Sequence, residues 1–120
     1  MPPDHDVVLI ISSAPDLLVA KRIAHILIEE KLAACVNLGA PVLSIYEWNG
    51  IVEGADEIPM WIKTHVSQQQ PVMQRLAELH PYEVPEIIVV PVVGGSEPYL
   101  AWVHEQSRGK FSIGEGHARE

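Results

Sequence analysis

The side chains able to do chemistry in this 120-residue chain are few and widely spaced. Cys35, in KLAACVN, is the only thiol. It reads first as a small buried hydrophobe, the usual state of a free cysteine. The sharper reading is a soft ligand for copper or another thiophilic metal, although a lone cysteine lacks the paired spacing of a dedicated site. In HPYEVP, His80, Tyr82 and Glu83 gather an imidazole, a phenol and a carboxylate at a helix end. The block suits a polar pocket and, equally, a helix stop followed by an extended, Pro-bounded turn. Glu57 and Lys63 lie in one apolar strand. A lysine there needs a carboxylate, a water-lined cavity, or a stem that packs while the amine reaches solvent. Tyr46, Trp48, Trp61, Tyr82, Tyr99 and Trp102 are core or interface residues first and ligand platforms second. His25 and Glu29, four apart on a helix face, suit a solvated ion pair better than a cation site. His65 and His104 read as surface residues. The sequence holds no nucleophile elbow, phosphate loop, HExxH or cysteine pair, so the expected role is not enzymatic.

The elements that must position these groups follow from periodicity. Residues 7–11 read as a short buried strand, and Ser13-Ala14-Pro15-Asp16 offers a cap and an early helical proline. Over residues 16–32, Leu17, Ala20, Ile23, Ala24 and Leu27 share a broad helix face. Asn49-Gly50 is the two-residue turn that best accepts positive φ at both central positions, which closes a type I′ hairpin. Its arms, residues 35–48 and 51–66, outrun the usual strand of about 5–6 residues. The surplus must bend or find a partner outside the fold. Gly39-Ala40-Pro41 reads as a bulge or bend in the first arm. A second helix fits residues 68–80, with Ser67 and Gln70 at capping-box spacing. Residues 87–93 form an apolar strand that Pro91 confines to an edge. A last helix fits residues 97–107, and residues 109–120 read as a flexible tail.

The order β-α-β-β-α-β-α describes an α+β, ferredoxin-like split βαβ domain over residues 1–108, with a long β2-β3 hairpin. Right-handed crossovers put both main helices on one sheet face and leave the other bare, which marks an interface. The formal net charge of −8 excludes a nucleic-acid backbone as partner, since no basic stripe exists to displace counterions. No apolar run reaches the length of a membrane span. The acidic N-terminus lacks the positive charge of a signal peptide, and one cysteine allows no internal disulfide, so a cytoplasmic location is expected.

Taken in order, SSAPD, EEKLAACVN, SIYEWNG, the IKT strand, SQQQ, HPYEVPEIIVVPV and YLAWV resemble the CutA family of divalent-cation tolerance proteins, from Val7 to about Ser107. The resemblance implies a tight homotrimer of ferredoxin-like protomers whose hairpin arms join sheets between subunits. It implies metal tolerance through weak binding of copper or another divalent cation, by sequestration or sensing without turnover and with no required cofactor. Carried over by position, Cys35 and His80 become metal-ligand candidates, helped by Glu57 or Glu83. Lys63, Tyr82, Trp48, Tyr99 and Trp102 would line a cleft between subunits. Departures weigh on this: Ser12 stands where some relatives have Cys, and Leu79 where some have a second His, leaving few ligands in one subunit. Ile51 and Pro59 also depart from the pattern. The alternative is a PII-like signalling or binding module that uses the cleft for a small molecule or partner protein, an analogy at the level of fold.

Overall fold

The computed structural model describes residues 6–109. The expected tail from residue 110 onward lies outside the described residues. Among the described residues, five strands, β1 (Val7–Ala14), β2 (Cys35–Leu38), β3 (Val42–Trp48), β4 (Ile51–His65) and β5 (Ile88–Pro91), combine with three α-helices, α1 (Leu17–Glu29), α2 (Gln69–Leu79) and α3 (Glu97–Gln106). The fold is mixed α+β on an antiparallel sheet of order β2-β4-β1-β5, with β3 paired to β4 alone.

Alternation along the strands decides which face is core. Val36, Ile62, Ile10 and Val89 stand opposite one another across the four strands. Ile10 and Ile62 are wholly buried, in one cluster with Ile23 and Leu27 of α1 and Val72 and Leu76 of α2. Both helices therefore cover the same face, and burying their apolar stripes on this row drives the fold. Asp16 caps α1: its Oδ1 accepts the Val19 N–H at 2.9 Å. Pro15 precedes that cap and does not sit in the first turn as expected. β1 is longer than expected because Ser12, Ser13 and Ala14 go on pairing with Met60, Pro59 and Ile58.

Asn49 and Gly50 have φ of 53° and 79°, the pair of positive values a type I′ turn requires. The first arm does break at Gly39: a Cβ there would lie 2.8 Å from the Trp61 ring and 2.9 Å from Pro59 Cγ, so only glycine lets the chain pass. Ser67 does not cap α2. It enters a single 3₁₀ turn (Val66–Gln68), its N–H goes to His65 Nδ1, and Gln68 holds the cap position without a side-chain bond. Pro91 lies in β5, an edge strand paired only with β1. The second sheet face is not wholly bare. α3 packs over the His65 end, burying Val103 and stacking His104 on His65 with ring centroids 4.0 Å apart, so neither histidine is the plain surface residue expected. Trp61, Ile88 and Val90 remain exposed on the rest of that face.

Candidate functional site

Two clusters hold most of the chemistry-bearing residues, and β4 connects them. The first lies where β1 ends and α2 stops. His80 follows the last residue of α2 in extended conformation and turns its ring under β1. Its Nε2 lies 2.6 Å from the Ser13 carbonyl oxygen, and its Nδ1 accepts the Tyr82 N–H at 3.1 Å. A carbonyl accepts only, so Nε2 carries the proton and the ring is the neutral Nε2–H tautomer. Both nitrogens of this buried imidazole are thus engaged within the chain. The turn so held presents Tyr82, whose hydroxyl donates to Glu57 Oε2 at 2.9 Å from mid-β4.

Burial, then the bond to Glu57 and its negative charge, push the Tyr82 phenol up to about 12. Because the folded value lies above the ordinary 10.0, the folded state holds the proton more tightly. That contribution to stability is complete below about pH 10 and is lost as pH rises through about 12. In a spectrophotometric tyrosinate titration, Glu57→Gln should move one phenol midpoint down from about 12 while leaving it above 10.0, since burial remains. An unchanged titration curve would refute the Glu57 contribution.

The second cluster lies about 20 Å further along β4, six residues on at about 3.3 Å each. Cys35, half-buried at the start of β2, stands opposite Lys63 in the register, and its Sγ lies 3.8 Å from Asn37 Oδ1. The Lys63 ammonium sits 5.7 Å from the Tyr99 ring centroid, and Tyr99 in turn packs on Trp102 at 5.6 Å. An aromatic face thus takes up the lysine cation, an answer the strand pattern did not suggest. Trp48 belongs to neither cluster: it closes the hairpin tip opposite Ile51 and is 57% exposed. Glu83 is exposed beside the first cluster.

Among the described residues no group of three or more His, Cys, Asp or Glu side chains converges as a metal site. Sequence reasoning missed the Ser13 carbonyl as partner of His80, and nothing local could have signalled a backbone group 67 positions away. It also missed Arg75, which grips Glu30 through Nε at 2.9 Å and Nη2 at 2.8 Å and ties α2 to the end of α1. A glutamate at the end of α1 and an arginine within α2 were the available signal.

Residues 8–106 match the family model described as CutA1 divalent ion tolerance protein. The chain belongs to the CutA1 family. It is 43% identical over 103 residues to the divalent-cation tolerance protein CutA of Pectobacterium atrosepticum, covering 86% of this chain and 94% of that one. It is 46% identical over 93 residues to Protein CutA of Mus musculus, spanning 78% of its own length but only 52% of the mouse protein's. Its fold superposes on the crystal structure of CutA1 from the psychrotrophic bacterium Shewanella sp. SIB1 with a TM-score of 0.82, at 44% identity, covering 84% of this chain and 94% of that one. No helix among the described residues of this CutA1 chain is long and apolar enough to cross a membrane.

Proposed function

We propose that this CutA1 protein is a cytoplasmic, non-catalytic homotrimer of ferredoxin-like protomers that binds copper or other divalent cations weakly and so contributes to metal tolerance. The observation that carries the assembly is the hairpin. β3 pairs with β4 alone, and Leu43, Ile45, Trp48, Ile51 and Val52 along it are each more than half exposed. A two-stranded ribbon with apolar residues on both sides is marginal in water and calls for a partner surface. The strand order β2-β4-β1-β5 supports the ferredoxin-like reading, taking β2 and β3 as one bent arm.

The wide separation of Cys35 from the His80-Tyr82-Glu57 cluster suits a site completed between protomers, which agrees with weak binding. Cys35 supplies the soft ligand, with Glu57 or Glu83 as carboxylate helpers. His80 joins them only by giving up the Tyr82 N–H. Titration of Cu(I), Cu(II) and Zn(II) into the wild type, Cys35→Ser and His80→Ala tests the ligand set. Cys35→Ser should weaken Cu(I) binding at least about tenfold, the effect of losing a soft donor. Equal affinity in all three proteins would discard these ligands. Light scattering across a protein dilution series tests the trimer separately, and a monomer at every concentration would refute it.

A further inference from the structure

We infer that Asn49 is a site of spontaneous covalent modification, deamidating through a succinimide closed by the backbone nitrogen of Gly50, so that the tip of the long hairpin ages chemically. Glycine has no Cβ to shield its nitrogen, and a Cβ built on Gly50 would meet no atom within 4 Å. Asn49 and Gly50 are both exposed, and no described hydrogen bond holds the Asn49 carboxamide. The turn is closed by the pair Trp48 and Ile51, 57% and 61% exposed, followed by Val52 at 72%. Within the single chain, opening this tip uncovers little buried apolar surface; a partner over Trp48, Ile51 and Val52 adds to that cost but leaves the two loop residues at the end of the ribbon. Ring closure needs Asn49 to leave its left-handed turn conformation, and the ease of opening permits it.

The atoms balance with water as the only co-reactant. The deprotonated Gly50 nitrogen attacks Asn49 Cγ, a C–N bond forms, the Cγ–Nδ2 bond breaks, and ammonia leaves. Water then adds to either carbonyl of the five-membered imide. Cleavage at Cγ leaves aspartate. Cleavage at the main-chain carbonyl leaves isoaspartate, with the chain running through the β-carbon and a free carboxylate on Cα. Aspartate-glycine still suits a type I′ turn. Isoaspartate adds a methylene to a two-residue loop, so the pairings of Trp48 with Ile51 and Glu47 with Val52 cannot both keep their register. Either product also adds a negative charge to a chain already at −8.

The chain's other asparagine is an internal control. Asn37 is followed by Leu38, lies within paired β2, and its Oδ1 faces Cys35 Sγ. The full-length protein is held at mildly alkaline pH, folded and in urea, then digested and mapped by mass spectrometry. The Asn49 peptide should become about 1 Da heavier by exchange of ammonia for water and split into isoaspartyl and aspartyl forms, with Asn37 unchanged. Conversion at Asn49 should be detectable in the folded protein as well as in urea, as expected for a loop at the low-stability end of the chain. Asn49→Gly, which keeps a turn-competent pair, should abolish the change. An Asn49 that stays intact in the folded protein while converting in urea, or an Asn37 that reacts as fast, overturns the inference.

Discussion

Replacing His80 with alanine is expected to lower the stability of this CutA1 protein by about 3 kcal/mol, from the loss of two hydrogen bonds and the desolvated groups left behind. The Ser13 carbonyl loses the donor that now lies 2.6 Å away, in a place water does not reach freely. The Tyr82 N–H loses its acceptor, and the turn that carries Tyr82 to Glu57 is no longer tied to β1. Urea unfolding with the slope held fixed measures the change. A loss under about 1 kcal/mol would mean that the imidazole is not a structural tie. The same experiment guards the metal titration, because reduced metal binding by His80→Ala counts against a ligand only where the variant is folded.

Ile62→Ala should cost still more, about 4 kcal/mol, within the range for emptying a well-packed core position. Ile62 has no exposed surface and stands between Val36 and Ile10 at the centre of the sheet. Its neighbours belong to four strands and two helices, so no single side chain can move in to fill the space. Ile62→Val should cost only about 1 kcal/mol, since one methylene is lost. Both are compared with the wild type at one protein concentration, because assembly adds a concentration-dependent term. Equal effects of the two substitutions would show that the position collapses around the gap, contrary to the packing described.

Much of the fold was legible before the structure. Ala20, Ile23 and Leu27 recur at helical spacing and are the buried residues of α1. Asn49-Gly50 occupies the turn its chemistry favours, and Pro91 lies in an edge strand. Local signals misled where two local structures compete. Ser67 and Gln70 have the spacing of a capping box, yet a 3₁₀ turn takes Ser67 first, with its N–H bound to His65 Nδ1. The coverage of the second face by α3 also escaped notice, since the short apolar pattern of that helix names no surface to rest on.

The candidate site shows the same division. Residue types and order alone determined the family, the sheet-and-helix composition and the long hairpin, because periodicity and turn chemistry act over a few residues. Only the tertiary structure decided that His80 is bound at both nitrogens, that Lys63 lies over Tyr99 and opposite Cys35, and that the two clusters are far apart on β4. Those relations depend on strand register and helix docking between residues up to 67 positions apart. Register is settled by the whole core closing at once, and no local pattern carries that information.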